Sequence, residues 1–193
     1  MWDDFGKLFN KETNDPDKYV IFNNGKLTFG EYYNFNPVTW WIMKQSGISL
    51  IGPNPKNIAF SIEPQQLRAY VHENMNSYWA NRMIAVEKHM EELVDLPIEH
   101  LNEEIEWTVL GLLRQFYTLK ESAIISKLDA GSYGLQHLPQ EWHPIIKEAM
   151  DIREGKQARD NRSFRERILS LLTFANYLIN YCNNSKANQV NSN

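Results

Sequence analysis

The chain reads as mainly α: an up-and-down bundle of four or five helices with a small β-hairpin at its N-terminal end. Three observations predict this. Apolar residues recur at steps of three and four through most of the chain after Pro37. An Asn23-Asn24-Gly25 turn joins two short β-prone runs. With 193 residues, 42% hydrophobic and 12% aromatic, the chain can also bury one sizeable core.

Residues 1–17 are polar with scattered aromatics, and the Asn14-Asp15-Pro16 cluster ends any short amphipathic helix there. Tyr19–Phe22 and Lys26–Phe29 form the hairpin, since Asn-Gly accepts the positive φ of a tight turn. Pro37 suits a first helical turn, and Trp40, Trp41, Ile42 and Met43 give that helix an apolar surface too wide for one face. A loop over Gly47–Pro55 precedes a helix from Glu63 to Lys88, patterned by Leu67, Tyr70, Val71, Met75, Tyr78 and Met83. The charged stretch Glu91–Glu104 leads past Pro97 into a helix whose buried stripe is Ile105, Val109, Leu112, Phe116 and Leu119.

Ser126-Lys127 marks the next helix start, and Pro139 and Pro144 bracket the approach to a helix running to Glu154. The last helix, Asn161 to Tyr181, buries Phe164, Ile168, Leu171, Leu172, Ala175, Leu178 and Ile179. Cys182 falls in phase with that face as a small buried filler. The domain organisation expected is 1–58 as a small N-terminal unit, 59–182 as the helical bundle, and 183–193 as a disordered polar tail.

A net charge of −4 argues against generic nucleic-acid binding. The basic run Arg153, Lys156, Arg159, Arg162, Arg165 and Arg167 is interleaved with Asp151, Glu154, Asp160 and Glu166, so pairing along solvated helices accounts for it. A single cysteine rules out an internal disulfide and fits a reducing cytosol. No apolar run approaches the roughly 18–20 residues of a membrane span, and no secretory signal pattern opens the sequence. A cytoplasmic protein is expected. The histidines His72, His89, His100, His137 and His143 form no His-x-x-x-His pair, so no metal site is expected from them.

Two cations attract attention. Arg114 stands among apolar residues of its helix, and Lys127 stands at a helix start. An arginine fork, a lysine point charge and free backbone N–H donors are what a polyphosphate needs. The plainer alternative is that Arg114 pairs with a carboxylate and Lys127 is solvated.

The order W-x-V-L-G-L-x-R-x-x-Y-T-L, then I-x-S-K-x-x-A, then L-P-x-x-W-x-P-I-I-x-E-A-x-x-I-R fills Trp107 to Arg153. It resembles the C-terminal helical domain of aminoglycoside nucleotidyltransferases of the streptomycin/spectinomycin adenylyltransferase type. The segments Asn36–Trp40, Gly47–Pro53, Leu67–Tyr70 and Ser77–Trp79 resemble that family too, so the likeness spans roughly residues 28 to 155. It implies transfer of a nucleoside monophosphate from ATP to an antibiotic hydroxyl, with Mg²⁺. It further implies that Arg114 and Lys127 contact ATP, and that Tyr32, Trp79 and Glu104 contact the antibiotic. Tyr32, in Phe29-Gly30-Glu31-Tyr32, stands where the family has tryptophan. Trp79 has an equally simple reading as a core residue.

The family's catalytic pattern is a Gly-Ser turn, an Asp-x-Asp strand and a later carboxylate; it does not occur in this sequence. Asp15-Pro16-Asp17 has the spacing, but proline cannot donate within a central strand. Gly131-Ser132 has no paired aspartates after it. No catalytic residue is therefore assigned. The expectation is a truncated or split form in which residues 1–58 are the remnant of a nucleotidyltransferase domain, and which binds ATP and an aminoglycoside without turning over alone. A separate catalytic domain or a second copy is its expected partner. The competing class is a non-enzymatic helical interaction module docking through the region of Trp40-Trp41. A complete enzyme using Asp3, Asp4 or Glu31 is the third option.

Overall fold

The computed structural model describes residues 19–23, 25–30, 36–93, 97–156 and 162–190. Expectations for residues 1–17, for Glu31 and for Tyr32 fall outside that set. The chain divides into two compact units, Met1–Leu67 and Arg68–Asn193.

In the first unit β1 (Tyr19–Asn23) and β2 (Lys26–Gly30) pair antiparallel, with Asn23 opposite Lys26 and Tyr19 opposite Gly30. Gly25 takes φ +77° in the turn, the left-handed region a residue with a Cβ enters at a cost. Helix α1 (Pro37–Ser46) is capped by Asn36, whose side chain accepts from the N–H groups of Val38 at 3.0 Å and Thr39 at 3.1 Å. Trp40 is buried edge-on against Phe60, 5.1 Å between ring centroids. Lys44 donates to the carbonyls of Lys56 and Ile58 and lies over the Phe60 ring. The loop after α1 thus folds back onto the helix.

Residues up to Phe60 stay with α1 in the first unit, which ends at Leu67. The Trp40–Met43 surface is also narrower than its composition suggested, because Phe60 covers Trp40, while Ile42 is exposed. The loop instead presents Ile48, Leu50 and Ile51, each at least 85% exposed.

Helix α2 (Pro64–Asn74) passes through a π-helical turn, Met75–Trp79, into α3 (Ala80–Lys88), and a short α4 (Met90–Leu93) follows. The sequence predicts one helix over Glu63–Lys88; the structure inserts one wider turn in it. Helix α5 (Ile98–Glu121) is the central element of the second unit, with Ile105, Val109, Leu112 and Phe116 of its stripe all buried. It packs against α6 (Lys127–His137), α7 (His143–Arg153) and α8 (Phe164–Val190). Gly111 lets α5 approach Trp79: a Cβ there would lie 2.7 Å from the indole ring.

Helix α8 runs on to Val190, where the sequence predicts a disordered tail from residue 183. No glycine or proline interrupts residues 183–190, and Asn183 exchanges side-chain hydrogen bonds with Asn76. Cys182 is 5% exposed, and burial pushes its thiol up to about 12, as suits a core filler. The mainly α bundle with its N-terminal hairpin is the architecture the periodicity predicts. No helix among the described residues is long and apolar enough to cross a membrane.

The described members of the basic run are paired, although not all along single helices as its interleaving suggested. Arg165 pairs with Glu91, Arg162 and Arg167 share Glu148, and Arg153 approaches Glu106. Lys156 does pair locally, with Asp151 and Glu154. Glu148 and Arg167 are each 5% exposed at the side chain, so this pair joins α7 to α8 inside the bundle.

Candidate functional site

Helix α5 carries two groups of polar side chains. In its second half Arg114 is half-buried and donates from Nε to the Ile125 carbonyl at 2.9 Å. Thr118, one turn on, donates from Oγ1 to the Arg114 carbonyl at 3.0 Å or to that of Ala123 at 2.9 Å. The bonds to the Ile125 and Ala123 carbonyls tie down the loop between α5 and α6. Among the described residues, the terminal amino groups of Arg114 make no hydrogen bond or ion pair. Burial lowers the Arg114 pKa from its ordinary value, the mark of a cation that has lost water without gaining an anion. Guanidinium keeps its proton regardless.

That loop ends at Ser126, which caps α6 by accepting from the Asp129 N–H at 3.1 Å and donating to the Asp129 carboxylate at 2.7 Å. Lys127 is therefore the first residue of α6, as the Ser-Lys pair predicts. Its side chain is 17% exposed, and its ammonium is bonded to Glu106 Oε1 at 3.0 Å and Oε2 at 3.1 Å and lies 4.7 Å from the Trp107 ring centroid. Arg153 Nη1 lies 3.4 Å from the same Oε1. Arg114 has no carboxylate partner among the described residues, and Lys127 has one.

The first half of α5 lines a cleft of about 490 Å³ with His100, Glu103, Glu104, Glu106 and Trp107, faced by Arg82 of α3. Glu104 accepts from Arg82 through both oxygens, with Nε at 2.9 Å, and from Thr108 Oγ1 at 2.9 Å. Its carboxylate is well supplied with donors in the absence of a ligand. Trp79 does not line this cleft; it is 5% exposed, lies over Gly111 and sits 6.5 Å from the Trp107 centroid. Trp107 is half exposed and presents the accessible indole.

Trp107 and Arg82 are the site residues that sequence reading did not single out. His100, Glu103, Glu104 and Trp107 stand at i, i+3, i+4 and i+7, a polar stripe on one helix face that periodicity could have flagged. Nothing in one dimension joins Glu106 to Lys127, twenty-one residues on. Among the described residues, no group of three His, Cys, Asp or Glu side chains is gathered to hold a metal ion.

These features define a helical domain whose central helix lines a cleft of glutamates and apolar walls with one half and carries a half-buried arginine in the other. Residues 75–180, more than half of the chain, match the family model for the C-terminal domain of aminoglycoside adenylyltransferases. The chain belongs to that family. No curated protein and no solved structure matches it.

Proposed function

We propose that this chain is the substrate- and nucleotide-binding helical part of a streptomycin/spectinomycin-type adenylyltransferase, and that it does not adenylylate an antibiotic by itself. The observation that carries the reading is Arg114: a half-buried guanidinium with no carboxylate among the described residues, beside the loop that delivers Lys127. A triphosphate oxygen would supply the anion that Arg114 lacks, and Arg is suited to bind it as a fork. Lys127, at the N-terminus of α6, adds a point charge where the helix dipole also favours anions.

The acidic cleft around Glu103 and Glu104 suits the ammonium or guanidinium groups of an aminoglycoside, which need carboxylates in place of water. An antibiotic cation there would compete with Arg82 for Glu104. The Gly-Ser and Asp-x-Asp pattern that holds Mg²⁺ in the family is not among these residues, so none of them is assigned to Mg²⁺.

The test is calorimetric titration of the full chain with ATP at low salt, for wild type, Arg114→Ala and Lys127→Ala. A charge-assisted contact contributes about 1.5–3 kcal/mol, so each truncation should weaken binding roughly tenfold or more. Equal affinity in all three proteins would sink the reading. In parallel, protein supplied with labelled ATP, Mg²⁺ and an aminoglycoside panel should yield no adenylylated product.

The second reading, a helical interaction module, is favoured by the exposed run Ile48, Leu50 and Ile51 in the first unit. Sedimentation of wild type against Leu50→Lys decides it: a dimer that reverts to monomer supports the module, and a monomer throughout removes its main support.

A further inference from the structure

We infer that Glu106 is an internal competitor for the phosphate, a carboxylate that occupies Lys127 when no nucleotide is bound and must yield to one. The inference rests on the reading of Lys127 as a phosphate contact and adds how that contact is controlled. The two cations are not equivalent. Arg114 has no carboxylate among the described residues, whereas both oxygens of Glu106 lie within 3.1 Å of the Lys127 ammonium. Each member of the Glu106–Lys127 pair is less than 20% exposed, so their attraction is less screened than that of a surface pair.

The surroundings leave Lys127 little room to serve both anions. The Trp107 ring lies on one side of the ammonium, and Glu106 takes its hydrogen-bonding directions on another. A phosphate oxygen arriving at Lys127 meets a carboxylate of its own sign. It must displace that carboxylate or bear the repulsion. Displacement has a ready outlet, because Arg153 Nη1 already stands 3.4 Å from Glu106 Oε1 and is half exposed. Glu106 can keep one cation while releasing the other. The geometry is that of an anion site held shut by an anion of the same chain, and phosphate affinity is set by the difference between the two ligands rather than by Lys127 alone.

The experiment titrates inorganic tripolyphosphate into the full chain at low ionic strength, for wild type, Glu106→Gln, Lys127→Ala, Arg114→Ala and the double variant Glu106→Gln/Lys127→Ala. Glutamine keeps the shape of the side chain and removes its charge. Glu106→Gln should bind about tenfold tighter than wild type, and Lys127→Ala about tenfold weaker. The double variant should bind like Lys127→Ala, because the gain from Glu106→Gln passes through the lysine. If Glu106→Gln binds no tighter while Lys127→Ala weakens binding, the competitor role is overturned and the phosphate reading stands. If Lys127→Ala and Arg114→Ala both bind as wild type does, the phosphate reading itself has failed and the competitor role with it. Should Glu106→Gln not fold, Glu106→Asp withdraws the carboxylate by one methylene and should also tighten binding; no tightening overturns the inference.

Discussion

Arg114 Nε donates to the carbonyl of Ile125 at 2.9 Å, so one side chain both offers a cation and holds the loop from which Lys127 starts its helix. Replacing Arg114 therefore has two separable effects. Arg114→Lys retains the charge but loses the fork and the bond to Ile125, leaving a carbonyl to find water. We expect faster amide exchange through residues 123–127 and partial loss of ATP affinity. Arg114→Ala should show the same exchange and the larger loss. Hydrogen-exchange mass spectrometry beside calorimetry separates the two roles.

Gly111 sets the distance between α5 and Trp79. A methyl at Gly111 would overlap a rigid indole rather than the end of a flexible chain. Gly111→Ala gains helix propensity, but the overlap should prevail and destabilise the fold by about 1–3 kcal/mol. Urea denaturation gives the magnitude. A shift in tryptophan emission would show that the Trp79 ring has moved; unchanged stability and emission would mean that α5 can retreat freely.

Glu148 binds Arg162 and Arg167 at once, with its side chain 5% exposed. Removing one partner of a buried pair takes the counter-charge from the other, a loss of about 3–5 kcal/mol. Glu148→Ala should therefore lower the melting temperature by many degrees, whereas Asp151→Ala, at a more exposed ion pair, should hardly move it. Equal effects from both would show that the buried pair carries no special share of stability.

Cys182 supplies a pH dependence with a definite sign. Its thiol keeps the proton in the folded chain up to about pH 12, against a reference value of 9.0. Above the unfolded value only the unfolded chain ionises, so stability falls as pH rises from 9 towards 12. The loss approaches about 1.4 kcal/mol per pH unit in that window, and none of it is felt at neutral pH. Comparing denaturation midpoints of wild type and Cys182→Ala at pH 8 and pH 10.5 isolates it. Wild type should lose more stability over that interval than the variant.

Local chemistry decided much of this protein from the sequence alone. The stripe Ile105–Val109–Leu112–Phe116, the Asn-Gly hairpin and the Asn36 and Ser126 caps depend on neighbours within a few residues, and each element forms where those residues place it. The order of residues through Trp107–Arg153 likewise carried the family, and with it the expectation that Arg114 and Lys127 matter. Only the tertiary structure decided what each cation meets. Glu106 reaches Lys127 because α5 and α6 fold against each other, and Glu104 is claimed by Arg82 because α3 lines the same cleft. The covering of Trp40 by Phe60 and the close packing of Trp79 on Gly111 have the same origin. Periodicity states which face of a helix is turned inward. Which charge stands opposite which is a property of the packed helices, because partners far apart in sequence are brought within 3 Å only by the fold.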